Sequence, residues 1–234
     1  MSKDINKAIL MKFGKRKNLE NLQHGQLYMK PLSYYTDLAN NTNNNTVGDF
    51  TEGSMILRNL KIIEPKEYEN VCTDVSFNFH LEKYPVFCMF VLNDDIYYKS
   101  TFDDAKEKKH YRFNADQVKN MCDFGDSVLI INNTKEFFKR IESALIENGY
   151  HYKRDFVEYY NYAENNIEMV QKIQQSPWNA AFCKSKIYEY QQEYRILVKK
   201  EVEDFLCIDM DDISDISTIL DSDAVLNCDI TIFY

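Results

Sequence analysis

Three polar residues in the last quarter of the chain, Gln191, Glu193 and Arg195, are spaced two apart. The segment that contains them, residues 187–198, is rich in Tyr, Ile, Leu and Val, which predicts a β-strand with alternate side chains on opposite faces. One face then packs on a core and the other presents an amide, a carboxylate and a guanidinium. Such a face suits the lining of a polar cleft, but a strand with a solvated Glu–Arg pair shows the same pattern.

The motifs of several common sites are absent from the sequence. It has no G-x-G-x-x-G, no G-x-x-x-x-G-K-[ST] and no G-x-S-x-G, and it contains six glycines in all. The acidic stretch 209–215 lacks the glycine and the terminal glutamate of an EF-hand loop. No histidine has a partner at metal-ligand spacing, so we expect no metal site. The four histidines are His24, His80, His110 and His151.

Length and composition indicate one folded domain spanning residues 1–234. Hydrophobic residues make up 44% of the chain, enough for a core, and the net charge is -9. This charge disfavours a general nucleic-acid binder. The first residues lack the apolar stretch of a signal peptide, and no run has the length of a membrane span. We therefore expect a cytoplasmic protein that does not associate with membranes.

The pattern of apolar residues predicts short strands alternating with short helices. Residues 8–13 predict a first strand, and residues 86–92 are entirely apolar, as in a strand buried on both sides. Residues 135–148 predict a helix capped by Thr134, with a stripe of apolar residues along one side. The simplest architecture is a single α+β domain with a mostly antiparallel central sheet flanked by short helices.

A polar segment precedes a compact acidic turn in the first quarter of the chain. Residues 40–45 are almost entirely Asn and Thr, which predicts a mobile loop. Gly48 and Gly53 bracket the turn, which contains Asp49 and Glu52. These two carboxylates are candidates for a substrate edge, although a turn in which the aspartate caps the backbone is an equally good interpretation.

The six cysteines show no C-x-x-C pair and no zinc-like spacing. Most stand beside apolar residues, so we expect them to be reduced and to fill the core. They are Cys72, Cys88, Cys122, Cys183, Cys207 and Cys228.

The order of elements resembles the ADP-ribosyltransferase fold, and the layout is similar to that of a family of uncharacterised bacterial and phage proteins. In that family, a late segment reads Lys-x-x-x-Tyr/Trp-x-x-Glu-x-Glu-Tyr-Arg. Here Lys184, Tyr188, Glu193, Tyr194 and Arg195 match it, and Gln191 replaces the first glutamate. Other matching pieces are residues 12–13, 18–19, 25, 27–28, 49–52, 87–88 and 125–131.

The resemblance implies an enzyme that cleaves NAD or transfers ADP-ribose, with NAD as substrate and a protein as a possible target, in conflict between phage and host. Glu193 would stabilise the positive charge that develops on the ribose, and Gln191 would position the acceptor. Cationic side chains would hold phosphates, and tyrosines would stack on a ring. The candidates for these binding roles are Arg195, Arg16, Lys12, Tyr28, Tyr34 and Tyr35.

Two alternatives stay open. Transferases of this fold carry Arg or His on the first strand, where this chain offers Lys12. A non-catalytic nucleotide-binding sensor, or a protein-binding inhibitor module that uses the acidic surface, would account for that difference. The hypothesis of a nucleic-acid enzyme depends only on the basic residues between 106 and 109, so nucleic acid is not an expected partner.

Overall fold

The protein is described by a computed structural model that covers residues 5, 8–42, 46–61, 72–92, 97–103 and 106–233. These residues form fifteen strands and six α-helices. The strands are β1 (Ile9–Gly14), β2 (Gln26–Pro31), β3 (Ser54–Lys61), β4 (Cys72–Asn78), β5 (Pro85–Leu92), β6 (Tyr97–Asp103), β7 (Lys106–Tyr111), β8 (Ser127–Ile131), β9 (Tyr152–Phe156), β10 (Glu158–Tyr160), β11 (Cys183–Ser185), β12 (Glu193–Val198), β13 (Leu206–Asp209), β14 (Ser217–Asp221) and β15 (Ile230–Phe233). The helices are α1 (Arg16–Gln23), α2 (Leu32–Thr42), α3 (Ala115–Met121), α4 (Thr134–Glu147), α5 (Ile167–Gln175) and α6 (Ser222–Leu226).

Eight strands form the main sheet, in which every registered pair is antiparallel. The order is β13-β2-β5-β1-β8-β14, and β12 pairs with both β5 and β9. A parallel pair, β10 with β11, lies outside this sheet. The predicted α+β architecture with a mostly antiparallel central sheet is therefore confirmed for the described residues.

Strand β5 is central, and the sheet divides along one of its edges. On one side β12 pairs with β5 from Val86 to Phe90. On the other side β1 pairs only with the C-terminal end of β5, and β2 pairs only with its N-terminal end. Residues 87–89 thus have no registered strand partner on that edge. The separation of β1 from β2 opens the sheet there, across β5 from the strand that carries Glu193.

Both faces of the main sheet are covered. One face packs against the apolar sides of α1 and α4, and burying each large side chain there stabilises the fold by about 1.5–3 kcal/mol. Strand β12 is buried throughout, with Tyr194 and Ile196 in this core and Leu197 in a second core on the opposite face. By the alternation of side chains, Glu193 and Arg195 point to the same face as Leu197.

Close backbone contacts hold the acidic turn against its neighbours. A Cβ atom at Gly48 would lie 2.4 Å from the backbone nitrogen of Ala39, so only glycine allows the turn to pack this tightly on α2. The amide of Asp49 donates to the carbonyl of Tyr35 at 3.2 Å. The turn is therefore anchored to α2 beside the opening in the sheet.

The structure corrects the prediction for residues 187–198. Only Glu193–Val198 form a strand, because residues 186–191 form a 3-10 helix and Gln192 adopts a left-handed conformation with φ of 40°. The hydroxyl of Tyr190 and the amide of Gln191 both donate to the carbonyl of Thr46 at 2.7 Å. These tertiary hydrogen bonds hold the segment outside the sheet.

Several other predictions held with shifted boundaries. The first strand, the central strand at residues 86–92 and the apolar stripe of α4 are confirmed. The cap of α4 is Asn133, whose side chain accepts from the amide of Glu136, while the hydroxyl of Thr134 donates to the carbonyl of Ala8. Helix α2 continues to Thr42, so the predicted loop is wrong for residues 40–42, and residues 43–45 lie outside the described residues.

The cysteine prediction holds only in part. Cys183 is buried and Cys88 is half-buried, as expected for core residues. Three others are exposed, because they stand at a helix end, on an outer strand and in a turn: Cys122, Cys207 and Cys228. The side chain of Cys72 lies outside the described residues.

Candidate active site

Four buried charged side chains form one hydrogen-bonded network at the start of β12. Arg195 binds Glu52 through two bonds, Nη1 to Oε2 at 2.8 Å and Nη2 to Oε1 at 2.7 Å. Its Nε donates to Oε2 of Glu193 at 2.7 Å. Lys184 Nζ donates to Oε1 of Glu193 at 2.8 Å and lies 3.5 Å from Oε1 of Glu52. Two cations therefore hold two carboxylates from opposite ends of the sequence.

The network determines the protonation of Glu193. Burial by itself would raise the pKa of this carboxyl, but Arg195 and Lys184 outweigh burial and hold its pKa well below the usual range. Burial likewise opposes the charge on Lys184, and the carboxylates of Glu193 and Glu52 raise its pKa above the ordinary lysine value. Glu193 and Lys184 are therefore charged at neutral pH, as is Arg195, whose pKa is raised, against the effect of burial, by the two carboxylates. The formal charges of the four groups sum to zero.

Two further polar residues adjoin the network. The side chain of Gln191 accepts from Lys184 Nζ at 2.6 Å and donates to the carbonyl of Thr46 at 2.7 Å, so its amide is fixed in orientation. Asp49 accepts from the amide and hydroxyl of Thr51 through Oδ1, while no group of the described residues bonds its buried Oδ2. Burial, and then the charge of Glu52, raise the pKa of Asp49.

A cavity of about 160 Å³ lies against this network. Polar groups of the network form one side, and apolar side chains from β1, β5 and the α3 region form the other. The lining residues are Met11, Lys12, Phe13, Tyr35, Val47, Cys88, Met89, Phe90, Met121, Phe124, Lys184, Gln191, Glu193 and Arg195. The carboxylate of Glu193 thus faces a small and mostly apolar space.

Lys12 occupies the opening in the sheet. Its Nζ donates to the carbonyl of Cys88 at 2.6 Å, on the stretch of β5 that lacks a strand partner, and lies 4.8 Å from the centre of the Phe87 ring. Burial lowers the pKa of Lys12, and the neighbouring Cys88 and Glu193 only partly oppose this effect. Lys12 on β1 and Glu193 on β12 therefore flank β5 from its two sides.

The cavity continues into a larger groove of about 630 Å³ along the split between β1 and β2. Lys12, Phe13, Tyr35 and Phe124 line both spaces. The other groove residues are Gly14, Lys15, Asn18, Leu19, Asn21, Leu22, Gln26, Tyr28, Lys30, Tyr34, Val86, Phe87 and Cys207. Three lysines and six aromatic residues are among the described lining residues, which include no carboxylate.

The structure brings together most of the residues that the sequence singled out. The groups around the cavity and its network are Glu193, Gln191, Arg195, Lys12, Tyr35 and Glu52, with Asp49 beside them. Tyr28 and Tyr34 lie along the groove. Arg16 does not join them: its exposed side chain pairs with Glu20 at 3.2 Å on α1, and it lines neither space. Arg16 thus lies on the exposed side of α1.

Two groups at this site were not predicted as site residues. Lys184 matches the late segment of the resembling family, and its spacing of nine residues from Glu193 was the available signal. The backbone carbonyl of Cys88 accepts a hydrogen bond from Lys12. A sequence pattern cannot predict this contact, because every residue has a backbone carbonyl. Burial raises the pKa of the Cys88 thiol to about 12, so it is not a nucleophile at neutral pH.

Within the described residues, no cluster of three or more His, Cys, Asp or Glu side chains has the arrangement of a metal site. None of the helices in that part of the chain combines the length and the hydropathy that a bilayer crossing requires. No protein-family model, curated protein or solved structure matches the chain.

Proposed function

We propose that the protein is an ADP-ribosyltransferase-like enzyme that binds NAD in the groove and breaks the nicotinamide–ribose bond beside Glu193. One observation carries this proposal: a groove rich in lysine and aromatic residues opens inward onto a cavity that contains a fixed, ionised glutamate. The ADP-ribose passes to water or to an acceptor on another molecule.

The groove has the chemistry of a nucleotide site. The chain has a net charge of -9, yet the described residues that line the groove include Lys12, Lys15 and Lys30 and no carboxylate. Lys30 is paired with Asp204. Lys12 and Lys15 therefore supply the positive charge that favours an anionic ligand such as a pyrophosphate. The ring faces of Tyr34, Tyr35 and other groove residues suit flat heterocycles. A dinucleotide supplies both features in one molecule.

The cavity has groups that suit the cleavage step. When the bond from ribose to nicotinamide breaks, nicotinamide leaves with the electron pair, and positive charge develops on the sugar. A carboxylate fixed beside that position stabilises the charge, and Glu193 is held in one orientation by Arg195 and Lys184. Water or an acceptor then bonds to the ribose carbon and loses a proton. The fixed amide of Gln191 is available to orient that nucleophile.

The arrangement of strands gives further support. The pairing partners of Phe90 are Met11 on β1 and Glu193 on β12, so the residue next to Lys12 and the candidate catalytic glutamate meet across one position of β5. The ADP-ribosyltransferase fold, which the order of elements resembles, combines an Arg or His on the first strand with a late strand that carries glutamate, and this chain has Lys12 in place of that Arg or His.

Release of nicotinamide from NAD tests the proposal. We expect the wild-type protein to release it, and Glu193→Gln to reduce the rate by about 10²–10³-fold, as for loss of one electrostatic group at a reacting centre. Glu189→Gln is the matched control, because Glu189 is exposed on the preceding 3-10 helix. Circular dichroism at the assay temperature shows that each variant is folded. The proposal fails if the wild type releases no nicotinamide or if Glu193→Gln is equally active.

A second function, nucleotide binding without turnover, is favoured by one specific observation. Both oxygens of Glu193 already accept bonds from Arg195 and Lys184, and the charges of the network cancel. A sensor of this kind would bind NAD, ADP-ribose or AMP in the groove and leave them intact. Melting temperatures raised by these ligands, together with unchanged ligand after incubation, would establish the sensor and exclude the enzyme.

A further inference from the structure

Three exposed aromatic rings surround one lysine at the edge of the groove. Among the side chains whose exposure the structure describes, the exposed aromatic ones are Tyr28, Tyr34, Phe50, Phe77 and Phe205. Tyr28, Tyr34 and Phe205, which are 47%, 40% and 49% exposed, all lie around Lys30. We call these four residues the aromatic cradle. Clustered exposed rings mark a binding surface more often than rings that are scattered singly.

The main chain explains why the rings of the cradle converge. Strand β13 pairs with β2 so that Cys207 lies opposite Tyr28. Phe205 lies two residues before Cys207, and its ring therefore reaches the ring of Tyr28. The Tyr28 and Phe205 rings stack with centroids 5.1 Å apart and planes 27° apart. Tyr34 stands in the first turn of α2, directly after β2. The cradle is therefore built on regular elements rather than on a loose loop.

Lys30 organises the cradle without leaving an unpaired charge. Its Nζ lies 5.8 Å from the centre of the Tyr28 ring, 5.2 Å from Tyr34 and 5.9 Å from Phe205. It also donates to Asp204 at 2.5 Å, and this hydrogen bond raises the pKa of Lys30. The cradle is thus close to neutral overall. Its ring faces suit a flat heterocycle. Phosphates suit the groove beyond the cradle, which contains Lys12 and Lys15.

The cradle is continuous with the cavity. Tyr28, Lys30 and Tyr34 line the groove, and the Tyr34 ring contacts that of Tyr35 edge-on, with centroids 5.3 Å apart. Tyr35 in turn lines the cavity that contains Glu193. A path of aromatic and lysine side chains therefore runs from the cradle to the glutamate, and its middle section contains no described carboxylate.

We propose that the aromatic cradle binds the purine base of a nucleotide, with the phosphates in the groove. Aromatic side chains stack on the bases of nucleotides, and lysines bind their phosphates. The cradle and the groove supply these two kinds of contact. Combined with the proposed function, on which this step rests, the cradle orients NAD with adenine outward and nicotinamide toward Glu193. Binding of a purine nucleotide in the cradle does not itself depend on NAD cleavage.

Calorimetric titration of AMP, NAD and nicotinamide mononucleotide tests the assignment. Phe205→Ala and Tyr34→Ala remove one ring each, and Phe77→Ala, an equally exposed ring on β4 that does not line the groove, is the control. We expect each cradle variant to lower the affinity for AMP and for NAD about 5- to 150-fold, which is the contribution of one stacked base to binding. Nicotinamide mononucleotide has no purine, so its affinity stays unchanged. Phe77→Ala changes none of the three.

The outcomes separate this inference from the proposed function. One outcome is that AMP binds, that the cradle variants lower its affinity, and that no nicotinamide is released from NAD. In that case the purine site stands and the proposed enzyme activity is refuted. Suppose instead that the wild type cleaves both NAD and nicotinamide mononucleotide, and that Phe205→Ala has the same kcat/KM as the wild type for each substrate. The enzyme then stands and the purine site is refuted. Absence of AMP binding to the wild-type protein, or equal AMP affinity in all variants, also refutes the purine site.

Discussion

The pair between Arg195 and Glu52 provides a sharp test of the buried network. Their side chains are 2% and 1% exposed, and two hydrogen bonds of 2.7 and 2.8 Å join them. Glu52→Gln keeps the shape of the side chain and removes its charge. Glu193 is then the one carboxylate of the network that is hydrogen-bonded to Arg195 and Lys184, which leaves one buried positive charge of the network without its paired carboxylate. Removing one partner of a buried pair costs about 3–5 kcal/mol of the free energy of unfolding.

This cost translates into a large shift in melting temperature. A domain of this length loses about 2–4 °C per kcal/mol, so we expect Glu52→Gln to melt about 6–20 °C below wild type. Thermal unfolding followed by circular dichroism at pH 7 measures the shift. Urea unfolding of the same samples gives the free energy directly.

An exposed pair of the same geometry supplies the control. Arg112 binds Asp229 through two bonds of 2.6 and 2.8 Å, but these side chains are 63% and 46% exposed. Exposed pairs contribute about 0.2–1 kcal/mol, so Asp229→Asn should melt within about 4 °C of wild type. If Glu52→Gln and Asp229→Asn melted at the same temperature, the network would not be desolvated, and the reasoning about the protonation of Glu193 would be wrong.

Three further predictions concern the backbone, the thiols and pH. Gly25→Ala should cost several-fold more unfolding free energy than Gly149→Ala in urea titrations, because both have positive φ but only a Cβ at position 25 meets a main-chain oxygen, at 2.2 Å. In the native protein at pH 8, iodoacetamide should label Cys122 and spare Cys88, whose pKa burial raises to about 12; mass spectrometry of peptides identifies the sites. Because the pKa of folded Glu193 is depressed, its contribution to stability is present above pH 4.5 and is lost as pH falls through the folded value. The acid limb of a stability curve should therefore be flatter in Glu193→Gln.

The predictions that succeeded rest on local patterns. The unbroken apolar run at residues 86–92 predicted the central strand, because strands covered on both faces typically read as continuous apolar runs. The stripe at Phe137, Ile141 and Leu145 gave α4, because its spacing fits one face of a helix. In both cases the sequence within one element contains the whole signal.

The predictions that failed needed contacts between distant segments. Residues 187–191 alternate as a strand would, but hydrogen bonds from Tyr190 and Gln191 to Thr46, about 145 positions earlier, hold them in a 3-10 helix. The pairing of Arg195 with Glu52 spans a similar separation and follows from no local pattern. The sequence therefore identified the polar residues of the candidate site, and only the tertiary structure shows which groups surround them.

The network limits how Glu193 can act on a ligand. A carboxylate offers about four acceptor positions, and Arg195 and Lys184 use two of them, so positions remain for a ribose hydroxyl. The charge of Glu193 is nevertheless balanced by the same two cations, which weakens the field at the cavity. In the proposed reaction, the carboxylate of Glu193 must therefore lie close to the ribose, because the two cations weaken its field at longer range. The charge of Glu193 and its position are therefore both needed in the proposed reaction, and the network supplies the position by fixing the orientation of the carboxylate.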